Sequence, residues 1–162
     1  MPEPDLPRLY RDTRQRVARL LAGMGGSALA ANVPACPHWS VRDVLAHLAA
    51  VAEDAVAGRL SRPPSEDETA AQVRRFDGRP VAEVLAAWAA IAPRFEELIG
   101  AARSWPGVID VASHEQDIRG AVGQPGARDS VIGDGRLPGA VGYRRAPGPR
   151  TKPEVASDSE PQ

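Results

Sequence analysis

Three side chains of types that commonly bind metal ions lie in two distant segments of the sequence. His47 lies in one predicted helix, and Asp110 and His114 stand four residues apart in another. An i, i+4 spacing places two side chains on one helix face, with Cβ atoms about 5–6 Å apart. Two histidines and one carboxylate from facing helices would bind a divalent ion and leave a coordination position open for water or substrate. The pattern therefore predicts a metal site formed by His47, Asp110 and His114.

Each half of this predicted site also has a purely structural interpretation. A single histidine at the margin of an apolar stripe, as His47 is, is more often a core residue than a ligand. Asp110 and His114 would also suit a surface pair worth about 0.2–0.5 kcal/mol. The combination favours the metal, because Asp110 lies beside an apolar stripe that includes Val111 and Ile118. An aspartate is rarely placed in a core without a partner.

Apolar residues at helical spacing predict that helices position these side chains. The expected fold class is all-α, a four-helix bundle with ligands projecting from facing helices. Ser40, followed by Asp43, predicts the N-terminus of the second helix. Pro93 should kink the third helix and Gly100 should end it. The predicted long helices span residues 6–24, 40–58, 80–100 and 108–123, with a short helix at 68–76 and a loop at 32–39.

The last part of the sequence differs in character from the rest. Glycine and proline occur repeatedly beyond Arg128, and no sustained apolar periodicity remains. A segment with so little apolar surface cannot offset the entropy lost on ordering. We therefore expect one bundle domain at residues 1–130 and a disordered, Pro/Gly-rich tail at residues 131–162.

Composition and charge narrow the function classes. The formal net charge is -1, which argues against a broad surface for nucleic acid. No stretch approaches the roughly 18 consecutive apolar residues of a membrane span. The N-terminus lacks the basic and apolar segments of a secretory signal, and the single cysteine cannot form an internal disulfide. A protein of the reducing cytoplasm, without nucleic-acid or membrane partners, is expected.

Three residues just before the second helix each have two interpretations. Cys36 is either a reactive thiol or a small, inert residue, and the inert interpretation is favoured because nothing in the sequence indicates an activated thiol. His38 is a surface residue or an accessory ligand, with the surface favoured. Trp39 is expected to pack the second helix onto the bundle rather than to stack on a ligand.

Two segments of the chain resemble a known protein family. Residues 34–49, PACPHWSVRDVLAHLA, and residues 114–123, HEQDIRGAVG, are similar in sequence and spacing to the mycothiol-dependent maleylpyruvate isomerase family, within the DinB-like four-helix superfamily. The resemblance covers roughly residues 6–130. It implies a DinB-like bundle that binds a divalent metal, usually zinc, through His47, Asp110 and His114. The family typically has glutamate at the position of Asp110, so this shorter carboxylate should reach the ion by a backbone shift or through water.

The resemblance also implies an activity, the cis/trans isomerisation of maleylpyruvate, in which mycothiol adds to the activated double bond and leaves after rotation. The implied cofactors are zinc and mycothiol, and the implied substrate is a small dicarboxylate or another electrophile. Arg74, Arg75 and Arg79 form a cluster suited to holding carboxylates. A solvated surface cluster is nevertheless the more common role for each of these arginines.

Two function classes remain open. Family members continue into a C-terminal region that helps to form the thiol and substrate site, and here a Pro/Gly-rich stretch stands in its place. One interpretation is a mycothiol-dependent isomerase or transferase. The other is a metal-binding bundle without catalysis, a truncated family member or an interaction module. A homodimer is compatible with both.

Overall fold

The computed structural model describes residues 3–60 and 62–127, and within them the chain is mainly helical. Four long helices form the bundle, and two shorter helices and a β-hairpin lie in the connections between them. The prediction of an all-α, four-helix fold is confirmed. The elements are α1 (Leu6–Ala22), α2 (Gly26–Leu29), β1 (Asn32–Val33), β2 (Cys36–Ser40), α3 (Val41–Val56), α4 (Glu66–Arg74), α5 (Val81–Ala102) and α6 (Pro106–Ala121).

The four long helices pack around one apolar core. α3 contacts both α5 and α6, and α1 contacts the same two helices. Small residues such as alanine and valine fill much of the interior, which allows the helices to approach closely. The indole N–H of Trp88 donates to the hydroxyl of Tyr10 at 2.9 Å, so this buried polar group is satisfied. The larger buried apolar side chains are Tyr10, Leu21, Leu45, Phe76, Trp88, Ile99 and Ile118.

Ser40 defines the start of α3 and thereby the place of His47. The Ser40 hydroxyl accepts from the backbone N–H of Asp43 at 3.2 Å, and the Asp43 carboxylate accepts from the backbone N–H of Ser40 at 2.8 Å. This reciprocal capping box confirms the predicted N-terminus. His47 follows two turns later and is buried.

A β-hairpin occupies the segment that was predicted as a loop. β1 and β2 are antiparallel, with Asn32 opposite Ser40 and Val33 opposite Cys36. β1 contacts α6, and β2 contacts α3. The loop prediction was wrong because strands this short do not show the alternation that reveals a strand in a sequence. The hairpin brings Cys36 and Trp39 to the two helices that carry the candidate ligands.

α5 does not end at Gly100, as predicted, but continues to Ala102. The left-handed residue that ends it is Arg103, with a φ of 49°. A Cβ atom at Gly100 would lie 3.1 Å from Pro7 of α1. Gly100 therefore permits close contact between two helices, and this packing outweighs the low helix propensity of glycine. Pro93 lies within the helix, where its missing N–H removes one backbone hydrogen bond.

A buried ion-pair network orients α6 against α1. Glu115 is only 1% exposed, and its two oxygens accept from the Arg16 guanidinium at 2.8–3.2 Å. One of these oxygens also accepts from Arg119, one turn further along α6. A carboxylate at this depth would be costly without such partners. The network therefore defines the rotation of α6 and the direction in which the adjacent His114 points.

The expected boundary at residue 130 and the expected disorder of residues 131–162 fall outside the described residues. Among the helices described, none combines the length and the apolar character that crossing a membrane requires.

Candidate metal centre

The three residues that the sequence suggested as ligands meet inside the bundle. Nε2 of His47, from α3, lies 3.7 Å from Oδ2 of Asp110 in α6. Nε2 of His114, one turn further along α6, lies 3.5 Å from Oδ1 of the same carboxylate. The two imidazole centroids are 5.3 Å apart. The side chains of His47, His114 and Asp110 are 7%, 10% and 18% exposed, so the carboxylate is the most accessible part of a largely shielded centre.

These separations fit a single divalent ion. Two ligand atoms, each about 2.0–2.1 Å from a tetrahedral zinc ion, stand about 3.3–3.4 Å apart. The observed separations of 3.5 and 3.7 Å are slightly wider, by an amount that small side-chain rotations would close. Asp110 reaches both imidazoles although its side chain is one methylene shorter than a glutamate. Two imidazoles and a carboxylate form a donor set that suits zinc and related ions.

The tautomer of His47 follows from a chain of buried hydrogen bonds. Nδ1 of His47 lies 3.1 Å from Oε1 of Gln72, and Nε2 of Gln72 donates to Oδ2 of Asp54 at 2.9 Å. An ionised carboxylate only accepts hydrogen bonds, so the Gln72 amide must turn its NH₂ group towards Asp54 and its oxygen towards His47. Nδ1 of His47 therefore carries the proton and donates it, and Nε2 presents a lone pair to the centre.

Two arginines keep Asp54, at the far end of this series of hydrogen bonds, charged. Arg59 and Arg75 each donate to Oδ1 of Asp54 at 2.7 Å. Burial raises the pKa of Asp54, but the hydrogen bonds from Gln72 and the two arginines outweigh burial and lower the pKa overall. Asp54 is therefore an anion at neutral pH, as the orientation of Gln72 requires. Sequence reasoning missed Gln72 because nothing in the pattern of α4 shows which residue faces His47.

His114 is oriented in the same way by Asp117. Nδ1 of His114 lies 3.1 Å from Oδ2 of Asp117, one turn further along α6. A carboxylate that accepts from the distal nitrogen of a histidine holds the ring in place and raises the basicity of the other nitrogen. Both imidazoles therefore have Nδ1 occupied by an acceptor and Nε2 facing Asp110. Asp117 could have been found from the sequence, since an acid three residues after a candidate ligand lies on the same helix face.

Burial and mutual attraction set the charges of the centre. Burial raises the pKa of Asp110, but the close approach of His47 and the charge of His114 outweigh burial and lower the pKa overall. Burial lowers the pKa of His114, but hydrogen bonds with Asp117 and Cys36 and the charge of Asp110 raise the pKa to about 10. At neutral pH, a carboxylate therefore stands beside an imidazolium, and a metal ion must displace the His114 proton in order to bind.

Trp39 lies directly against the centre. Its ring centroid is 5.1 Å from that of His47 and 6.2 Å from that of His114. The buried indole belongs to β2, directly before α3, and its expected role was to pack the second helix onto the bundle. It also covers the two imidazoles, which the sequence did not indicate. His38 is exposed, in agreement with the surface interpretation.

The predicted arginine cluster does not converge on the centre as free guanidinium groups. Arg75 donates to Asp54 at 2.7 Å and to Glu53 at 3.0 Å. Arg79 lies 3.5 Å from Glu83, and Arg74 is exposed at the end of α4. Since two of the three guanidinium groups already pair with acids of the protein, the structure favours a surface and scaffold role over a role in holding substrate.

Replacement of Gln72 should weaken metal binding without removing a ligand. Gln72→Leu removes the acceptor for Nδ1 of His47, so the imidazole can adopt the other tautomer and rotate. We expect zinc affinity to fall by about 10–100-fold, as is typical when a partner of a ligating histidine is lost. Calorimetric zinc titration measures this change, and ¹⁵N NMR of the imidazole reports the tautomer.

The matched control for this experiment is Gln15→Leu, because Gln15 is exposed on α1. Zinc affinity and tautomer should be unchanged in that variant. Equal zinc affinity in the Gln72→Leu and Gln15→Leu proteins would show that the Gln72 contact does not position His47.

Comparison with known protein families identifies the domain. The family model described as the mycothiol maleylpyruvate isomerase N-terminal domain matches residues 10–124, a span that contains His47, Asp110 and His114. No match was found among curated proteins or among solved structures. Because the matched span is well over half of the 162 residues, the chain belongs to the mycothiol maleylpyruvate isomerase N-terminal domain family.

Proposed function

We propose that this chain binds one divalent ion, zinc, and uses it for thiol-dependent isomerase or transferase chemistry with mycothiol. The observation that carries the proposal is the meeting of two imidazole Nε2 atoms at one largely buried carboxylate, with both Nδ1 atoms held by acceptors. Family membership supports the choice of thiol and reaction. When bound, the ion would supply Lewis acidity that lowers the pKa of a thiol or polarises a substrate carbonyl.

The residues of the centre have separate tasks in this proposal. His47 and His114 present the lone pairs of Nε2, and Gln72 and Asp117 keep those lone pairs directed inwards. Asp110 supplies one negative charge. A set of two neutral ligands and one anion balances only half of the charge of a divalent ion, so the centre retains a net positive charge that attracts an anionic thiol or substrate.

Arg14 is the residue best suited to the anionic end of a small substrate. Its Nε is buried and makes no hydrogen bond with residues 3–60 or 62–127. Arg11 and Arg16, on the same helix, both pair with glutamates. Tyr10, one turn before Arg14, experiences the charges of both Arg14 and Asp110. A buried guanidinium nitrogen that has no partner among the described residues is suited to hold a carboxylate.

An Arg14→Met variant should therefore bind an anionic substrate less tightly. Loss of a charged hydrogen bond predicts a rise in KM of about tenfold or more, with zinc content unchanged. Steady-state kinetics with a saturating thiol measures the effect, and Arg19→Met is the matched control because Arg19 is exposed on the same helix. The same KM in both variants would remove Arg14 from the substrate site.

A second candidate is a metal-binding bundle without catalysis. The observation in its favour is that the matching family model describes an N-terminal domain alone. Such a protein would bind zinc with the same residues and would show no thiol-dependent turnover.

One experiment separates the two candidates. Protein stripped with a chelator and reloaded with zinc is assayed with mycothiol and maleylpyruvate, with either component omitted as a control. Turnover that requires both zinc and the thiol, and that is lost in a His47→Ala variant, supports the isomerase. Stoichiometric zinc without turnover supports the non-catalytic bundle. If the protein takes up no zinc, both candidates fail.

Metal binding should strengthen as the pH rises. The pKa of His114 is raised to about 10, so this imidazole is protonated across the neutral range before an ion binds. Each ion then displaces one proton, and the affinity should rise about tenfold per pH unit from about pH 6 to pH 8. Zinc titration at several pH values measures this slope. An Asp117→Asn variant, which lacks an acceptor that raises this pKa, should show a weaker dependence, and a flat profile in the unaltered protein would contradict the account.

A further inference from the structure

A second cluster of ligand atoms lies on the other side of His114. The Cys36 sulfur, a ring nitrogen of His114 and a carboxylate oxygen of Asp117 all lie within 4.8 Å of one another. The side chain of Cys36 is hydrogen-bonded to His114. The side chains of His114 and Asp117 are 10% and 12% exposed, and Cys36 is half-buried. These groups are therefore shielded, unlike the acidic clusters that are common on protein surfaces.

The fold holds this cluster together from two elements. His114 and Asp117 lie one turn apart on α6, whose rotation the Glu115 network defines. Cys36 begins β2, and β1 of the same hairpin contacts α6. Trp39, three residues after Cys36, packs against both imidazoles and ties the hairpin to the bundle. The sulfur is thus placed beside His114 and Asp117 by tertiary packing.

The chemistry of this cluster differs from that of the inner centre, which is the site formed by His47, Asp110 and His114. Cys36, His114 and Asp117 offer a thiol, an imidazole and a carboxylate, whereas the inner centre has no sulfur. Thiolate ligands select soft or borderline ions, and cadmium is softer than zinc. We propose that Cys36, His114 and Asp117 form an outer metal position that binds a thiophilic divalent ion such as Cd²⁺.

The inner and outer positions share His114 and therefore compete. A neutral imidazole has one lone pair, so a single His114 serves one ion at a time. Occupation of the outer position takes Asp117 away from its role as acceptor for His114 and uses the lone pair that His114 would otherwise present beside Asp110. The chain therefore binds one ion in total, and a thiophilic ion at the outer position displaces the ion that the inner centre would use.

The test uses the full chain with His47→Ala, which removes one inner ligand and leaves the outer three intact. Titration of this variant with CdCl₂ should load one ion per chain and produce the ultraviolet charge-transfer absorption of a thiolate bound to cadmium. In a His47→Ala/Cys36→Ser protein that absorption should disappear, and Cd²⁺ affinity should fall about tenfold or more. Serine keeps the size and hydrogen-bonding capacity of the thiol but is a poor ligand for this ion.

Two further measurements keep the proposal open to refutation. The Cys36→Ser change is also made in the otherwise unaltered chain, so that a folding defect of His47→Ala does not decide the matter. Circular dichroism checks the helical fold of each variant. If Cd²⁺ binds the His47→Ala protein without thiolate absorption, the outer position does not exist. The same conclusion follows if Cys36→Ser leaves Cd²⁺ affinity unchanged both in the His47→Ala protein and in the otherwise unaltered chain. Whether zinc binding depends on His47 and Asp110 is a separate test of the inner centre. Either position can therefore be refuted without refuting the other.

Discussion

A double variant, His47→Ala/His114→Ala, is expected to retain no divalent ion. His47 and His114 provide both neutral ligands of the inner centre, and a single carboxylate cannot hold zinc against dialysis. The same change removes the ligand that the inner and outer positions share. Zinc content measured by elemental analysis after dialysis should therefore fall from one ion per chain to none.

The control for the double variant is His38→Ala, which changes the exposed histidine of the hairpin. That protein should keep its full zinc content. A double variant that folds, as judged by circular dichroism, and still carries one zinc ion per chain would place the metal elsewhere and remove this centre from consideration.

Variants of Asp110 should show whether its carboxylate is a ligand of the ion or only a surface partner of His114. Asp110→Asn keeps the shape of the side chain and loses its charge, so zinc affinity should fall on the order of a hundredfold, or about 2.7 kcal/mol of binding free energy. Asp110→Glu supplies the longer carboxylate that the family resemblance leads us to expect at this position, and it should keep or raise the affinity. Calorimetric zinc titration of the three proteins measures both effects.

A purely structural role for Asp110 predicts a different outcome. A surface partner of His114 would leave zinc affinity equal in all three proteins, with differences in unfolding free energy of no more than about 0.5 kcal/mol. The matched control is Asp12→Asn, since Asp12 is an exposed aspartate that pairs with Arg8 at 3.7 Å. If the Asp110→Asn and Asp12→Asn proteins bind zinc with equal affinity, Asp110 is not a ligand. The site would then have two histidine ligands and no carboxylate, which would contradict the proposed centre.

The meeting of His47, Asp110 and His114 was predictable because the sequence patterns that indicate it are local. The i, i+4 spacing on α6 and the capping box that starts α3 both depend on residues a few positions apart. The resemblance joined the two segments, and the all-α fold followed from the apolar periodicity of the long helices.

The parts that were missed depend on tertiary contacts. Gln72 is 25 residues from His47, and its amide is oriented only because Asp54 is held by arginines. The acidic partners of Arg75 on α3, which give this arginine a scaffold role, could not be identified from the sequence. Gly100 was predicted to end a helix because a sequence does not show its close contact with Pro7, which lies on another helix. None of these relations produces a local pattern that a sequence could show.

The central claim is that one zinc ion lies between His47, Asp110 and His114, and a crystal structure of the zinc-loaded protein tests it most directly. Data collected at the zinc absorption edge should show one anomalous peak about 2.0–2.1 Å from Nε2 of each histidine and from a carboxylate oxygen of Asp110. Nδ1 of His47 should remain hydrogen-bonded to Gln72. No peak between these three side chains, or a zinc ion ligated by neither His47 nor Asp110, would contradict the account.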